Sequence, residues 1–202
     1  LIFFAFLGAV MTCCLSFIGM GLWPYAMLLY IIANVGFAGA NTMYDSLLPS
    51  VASEKKVDFV SSLGYSLGYI GGGLLFLLNV LMYIMPERFG LADGVQAVKV
   101  SYAMVGIWWA VFSIPLILFV KEPKGERLSI KAAVSAGFSE IRRTLKALRT
   151  LRNTGLFLIA YWCYIDGVDT IIRMATDYGT AIGFSSESLI VALLITQFVA
   201  FP

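Results

Sequence analysis

The chain has no histidine, only three cysteines and few charges. Without histidine it lacks the commonest metal ligand and general base. Cys13, Cys14 and Cys163 show no paired spacing. Neither a disulfide framework nor a zinc site is therefore expected, and no metal or cofactor. All three fall in apolar blocks and read as small buried hydrophobes. Charged residues are 13% of the 202 and hydrophobic ones 60%. A soluble domain carries about a quarter charged and about half apolar. That imbalance excludes an ordinary soluble fold, and nucleic acid is not among the expected partners. No basic stretch precedes the first apolar block, so a signal peptide is not expected. The chain starts at Leu1 and stops at Pro202 inside apolar blocks, which reads as an internal fragment of a longer protein.

What the sequence has is apolar blocks of about twenty residues, the length that crosses a bilayer core. Six stand out: helix A over 1–19, B over 25–48, C over 63–85, D over 100–120, E over 155–179 and F from 188 onward. The predicted fold class is an all-α membrane bundle of about six transmembrane helices, with the lipid bilayer as its first partner. Trp23 and Tyr25 suit an interfacial position. Pro115 is expected to kink helix D.

The net charge of +2 says little, but its placement says more. The B–C loop carries Lys55 and Lys56. The D–E segment carries nine cations: Lys121, Lys124, Arg127, Lys131, Arg142, Arg143, Lys146, Arg149 and Arg152. The other three links hold Arg88 and Lys99. Cations concentrate on the cytoplasmic side, so loops 49–62 and 121–153 are expected there.

Within the D–E segment, Ile130, Val134, Phe138, Ile141, Leu145 and Leu148 recur every three or four residues. Arg142, Arg143, Lys146 and Arg149 lie on the other side of the same wheel. The pattern predicts a basic amphipathic helix along the membrane surface. It serves either as a stiff connector or as a lipid-sensing or gating element.

Three helices carry candidate functional residues. In helix C, Gly64, Gly68 and Gly72 are four apart and line one face, widened by Gly71 and Gly73. Such a face lets another helix backbone approach closely. In helix B, Asn41 and Asp45 share a face near the cytoplasmic end, as a gate carboxylate or a solvated interfacial group. In helix E, Asp166, Asp169, Arg173 and Asp177 fall within one sector of about 80°. Asp166 is expected near the bilayer midplane, where a charge costs at least about 2.5–3.5 kcal/mol. Asp169 and Arg173 stand at i,i+4 in the favourable order for pairing. Asp166 then remains as a proton carrier, a ligand for a cation or substrate ammonium, a carboxyl held neutral, or a structural bond to a neighbouring helix. Gly167 beside it is expected to weaken the helix locally. Gln197 in helix F either lines the same cavity or bonds between helices.

The segments YDSLLPSVA (44–52), SLGYSLGYIGGGLL (62–75), FLIAYWCYIDGVDTIIRMATDYG (157–179) and TQFVAFP (196–202) together resemble the vacuole-effluxer-like family of the major facilitator superfamily. That is the family of the autophagy-related vacuolar amino-acid effluxer and its bacterial relatives. The Tyr-x-Asp-Gly-Val block at 164–168 is the most specific piece. The resemblance implies a secondary transporter of twelve helices in two halves. Residues 1–120 would be the last four helices of the first half. Residues 121–153 would be the central cytoplasmic loop, and 154–202 the first two helices of the second half. It implies that helix E faces the central cavity, placing Asp166 and Asp169 there. It also implies that helices C and F meet across the halves. The family pattern often has asparagine at Asp45 and glutamine at Asp169. The expected function is alternating-access movement of a small solute, such as an amino acid, coupled to protons, in a bacterial plasma membrane. The rival is a non-transporting receptor or scaffold. An enzyme is not expected, because no serine–lysine pair, histidine or facing mid-membrane carboxylates appear.

Overall fold

The computed structural model describes residues 1–120, 129–148 and 150–200. Of the cations placed in the D–E segment, Lys121, Lys124, Arg127 and Arg149 lie outside the described residues. Among those described there is no strand. The helices are α1 (Ile2–Leu15), α2 (Trp23–Val51), α3 (Val57–Ile84), α4 (Gly94–Phe119), α5 (Ile130–Leu148), α6 (Arg152–Ala181) and α7 (Ser186–Val199), with a short 3-10 helix at Pro86–Phe89. By length and composition α2, α3, α4 and α6 are each sufficient to cross a membrane. The apolar helices α1 and α7 are 14 residues each, about 21 Å at a 1.5 Å rise, and so fall short of a bilayer core of about 30 Å.

Several boundaries differ from the sequence expectation. The segment 49–62 was expected as a loop, but α2 continues through Pro49 to Val51 and α3 starts at Val57. Pro49 removes one N–H from the helix ladder, which resumes beyond it with Ala52 N–H on the Leu48 carbonyl (3.0 Å). The side chains of Ser46 and Ser50 turn back onto the carbonyls of Met43 (2.7 Å) and Leu47 (2.6 Å) in the same stretch. Helix α4 starts earlier than expected and takes in Lys99. Its start is fixed by a reciprocal cap: Gln96 N–H donates to Asp93 Oδ1 (2.7 Å), and Ala92 N–H donates to Gln96 Oε1 (2.7 Å). Pro115 lies inside α4 as expected. Helix α6 runs unbroken through Gly167, so the expected local weakness does not interrupt it. One glycine costs only about 1 kcal/mol in a helix, and the 30 residues of α6 absorb it.

The helices form two compact units. The first comprises Leu1–Pro123 with Ile190–Pro202. In it α1 packs on α2 and α4, and α3 packs on α4, while α2 and α3 touch only slightly. The crossings are made by small residues. A Cβ on Gly36 of α2 would lie 2.6 Å from the Gly8 amide nitrogen of α1. A Cβ on Gly106 of α4 would lie 2.6 Å from the Ala9 carbonyl oxygen. Ala5, Ala9, Ala33 and Ala40 are buried at the same crossings. This is how membrane helices associate: lipid already solvates leucine, so close backbone packing supplies the attraction. Gly36→Ala is therefore expected to lower the melting temperature and folded yield of the full-length protein. Overpacking of this kind costs about 1–3 kcal/mol. Gly68→Ala, with nothing within 4 Å of its Cβ, is expected to leave both unchanged. Size-exclusion profiles after graded heating would check the pair.

The second unit is Lys124–Leu189. Here α5 turns tightly into α6, and α6 ends on Gly183 at φ 96°. Phe184 N–H reaches the Gly179 carbonyl (3.0 Å) and Gly183 N–H the Thr180 carbonyl (3.1 Å). That paired closure needs the left-handed residue glycine supplies. The cysteines depart from expectation: Cys13 and Cys14 are half-buried and Cys163 is exposed. Cys163 lies on a face of α6 that no described helix covers.

Candidate functional site

A cavity of about 380 Å³ opens where α2, α3 and α7 come together in the first unit. The register of each helix sets its lining. Asn41, Tyr44, Asp45 and Leu48 follow i, i+3, i+4, i+7 along α2. Ser61, Gly64, Tyr65, Gly68 and Tyr69 follow the same spacing along α3. Gln197 enters from α7. Five residues singled out by sequence thus meet around one space: Asn41, Asp45, Gly64, Gly68 and Gln197. Gly72 lines a second cavity beside it.

The glycine row of α3 stands open among the described residues. Gly68 and Gly72 have nothing within 4 Å of a built Cβ, and Gly64 only the Tyr44 hydroxyl at 3.5 Å. No backbone approaches this row among the described residues; it forms the wall of the cavities. The contact of α3 with α7 runs through the neighbouring Gly73, whose Cβ would lie 3.3 Å from the Phe198 ring and 3.6 Å from Gln197 Cβ. Close backbone crossings occur instead at Gly36 and Gly106, in the stretches NVGFAG and MVGIWW. These glycines lack the fourfold spacing that marks helix C.

Of the described residues lining the cavity, Asp45 alone is charged, and no cation faces it there. Its backbone adds to the negative character. The residue four places on is Pro49, which has no N–H, so the Asp45 carbonyl loses its i+4 helical donor. Carboxylate and carbonyl thus stand together on one exposed residue of α2. Tyr44, Tyr65 and Tyr69 surround the space with rings and hydroxyls, and Asn41, Ser61 and Gln197 add hydrogen-bonding groups. Chemically the cavity suits a small solute with a positively charged or hydrogen-donating end.

The second cavity, about 780 Å³, lies between α1, α2, α3 and α4. It is largely aromatic and apolar, with Trp108, Trp109, Phe37 and Phe112 on its walls and Asn34 and Asn79 among its polar groups. Gly68 borders both spaces. Asn79 was missed by sequence reasoning, and its side-chain oxygen is buried without a partner. A lone polar residue within LLFLLNVLMYI was the available signal.

The acidic stretch of α6 belongs to the second unit. Asp166 is the 15th of the 30 residues of α6, so the helix bounds put it at mid-length. Its carbonyl accepts a hydrogen bond from Thr170 Oγ1 (2.8 Å). The side chains of Asp166, Asp169, Arg173 and Asp177 are exposed.

The profile of the vacuole effluxer Atg22-like proteins matches residues 1–202. The chain is 37% identical over 204 residues to an uncharacterized MFS-type transporter, YxiO, of Bacillus subtilis, covering 99% of this chain and 47% of that protein. It is 27% identical over 237 residues to autophagy-related protein 22 of Saccharomyces cerevisiae, covering 97% and 44%. The corresponding protein of Eremothecium gossypii is 23% identical over 219 residues, covering 98% and 42%. The chain spans about half the length of the curated relatives it matches. No solved structure matches it.

Proposed function

The chain belongs to the vacuole effluxer Atg22-like family, and from that premise we propose that it forms part of a secondary transporter working by alternating access. It is an all-helical membrane protein with an MFS-type relative, and that family is one of transporters rather than enzymes. The observation that carries the proposal is the cavity between α2, α3 and α7, with its single carboxylate at Asp45 and its hydrogen-bonding rim. It holds a small solute, with an amino acid as the first class to test. Asn41 and Gln197 orient the polar end of the solute, Asp45 attracts its charge, and the open row Gly64, Gly68 and Gly72 leaves room for it.

Asp166 carries the coupling proton or binds the solute directly, with Asp169 and Arg173 tuning it along the same face of α6. The protein sits in a cell membrane with the α2–α3 link and the 121–153 segment on the cytoplasmic side. The cation distribution supports that orientation: Arg152 opens α6, and Lys131, Arg142, Arg143 and Lys146 lie on α5.

Alternating access is tested at Gln197. In the full-length protein, Gln197→Cys is expected to react with a membrane-impermeant maleimide above the background of the native cysteines. A saturating amino-acid mixture is expected to change that rate severalfold. Reaction at the same rate with and without the mixture would count against a solute-gated cavity.

A further inference from the structure

The helix α5 leaves an apolar stripe uncovered. Val134, Phe138, Ile141 and Leu145 are 53%, 70%, 57% and 59% exposed. By helical geometry they fall within about 60° of the wheel. Lys131 and Arg142 lie about 20° and 40° beyond the edge of that stripe, and Lys146 about 80° beyond it, all on the same side. Arg142 and Lys146 thus flank the stripe rather than oppose it as expected. Arg143 points almost directly away from the stripe and is taken up by Glu140, whose Oε1 lies 2.6 Å from its guanidinium. Among the described residues, Lys131, Arg142 and Lys146 have no carboxylate partner.

Connectivity limits where this stripe can go. Thr150 N–H closes on the Ala147 carbonyl (3.0 Å) and Leu151 N–H on the Leu148 carbonyl (3.2 Å), so α5 turns directly into α6. From Leu148 to Arg152 the chain spans at most about 14 Å. If α6 crosses the membrane, the C-terminal end of α5 is held at the membrane surface. A helix so tethered, with an apolar stripe and cations at one edge, matches the headgroup–acyl boundary of a bilayer in both polarity and charge.

We propose that α5 binds the anionic phospholipid surface of the cytoplasmic leaflet: Val134, Phe138, Ile141 and Leu145 enter the acyl boundary, and Lys131, Arg142 and Lys146 reach lipid phosphates. The proposal rests on α6 spanning the membrane and is independent of which solute is moved. The one-sided placement of the cations rolls the helix about its axis, so that Arg142 faces the lipid and its neighbour Arg143 faces water.

Hydrogen–deuterium exchange of residues 130–148 tests this in the full-length protein, held in nanodiscs of phosphatidylcholine alone or mixed with phosphatidylglycerol. Exchange is expected to slow in the anionic discs, by about fivefold for each cation that reaches the surface. Arg142→Glu is expected to lose most of that slowing, and Arg143→Glu, with the same change in charge, to keep it. Phe138→Asp is expected to lose protection in both lipids while α4 and α6 exchange as before. Equal exchange in the two lipids would overturn the proposal. So would equal effects of Arg142→Glu and Arg143→Glu. Protection indifferent to lipid charge, with α6 loosened by Phe138→Asp, would also overturn it and assign the stripe to a protein contact.

Discussion

Replacing Asp166 with asparagine in the full-length protein is expected to abolish solute-driven proton movement while solute-for-solute exchange continues. The expectation rests on position and chemistry. Asp166 sits midway along a 30-residue helix, about 45 Å long at a 1.5 Å rise. With a hydrocarbon core of about 30 Å centred on that helix, neither boundary is within reach of so short a side chain. A permanent charge at that depth costs at least about 2.5–3.5 kcal/mol, so the position favours a group that can discharge itself by taking a proton. Asparagine has nearly the same shape and keeps hydrogen bonding, but it cannot exchange a proton. A carrier role predicts a proton signal at the level of empty liposomes, with counterflow exchange near wild type. A structural role predicts that asparagine satisfies the same neighbour and both signals persist. A pH dye inside proteoliposomes, read in parallel with radiolabelled exchange, separates the two.

Asp45→Ala is expected to raise the KM for a cationic solute by about 10–100-fold with a smaller change in kcat. A hydrogen bond to a charged group contributes about 1.5–3 kcal/mol, and an interaction made equally in the bound and transition states appears in KM. Asp45 is the only charge among the described residues of its cavity, so no neighbour can substitute for it. It is exposed on α2, and its removal leaves the buried crossings at Gly36 and Gly106 intact. Asp45→Asn is the sharper variant. Asparagine keeps the shape and hydrogen bonding of the side chain without its charge, so transport itself is expected to persist. Preference is expected to move from cationic toward neutral solutes. An unchanged KM for every solute in both variants would place the solute elsewhere.

Much of the fold was legible because hydrophobic length is a local property. Six apolar blocks and one amphipathic segment became seven helices, and α5 follows the three-and-four spacing of Val134, Phe138, Ile141 and Leu145. The boundaries that moved were those set by short-range chemistry that can act either way. Pro49 reads as a helix stop, but the helix bonding resumes beyond it at Ala52. Asp93 and Gln96 form a cap whose signal is short and lies in a polar link.

The cavity was half legible. The i,i+4 spacing showed that Asn41 and Asp45 share a face, and Gly64 and Gly68 likewise. That those faces look at one another, with Gln197 from a helix far along the chain, is tertiary information that no spacing carries. The glycines illustrate the same limit. A periodic row was visible in sequence, yet the tight crossings belong to Gly36 and Gly106, because only the partner helix decides which glycine is approached.

The most direct test of the central claim is solute flux through the full-length protein in proteoliposomes, measured across an amino-acid panel against empty liposomes. The account predicts saturable flux of at least one solute, with an apparent affinity that shifts in Asp45→Ala. Folded protein that moves none of the panel, and whose Gln197→Cys reacts no faster than the native cysteines, would contradict it and favour a non-transporting receptor or scaffold.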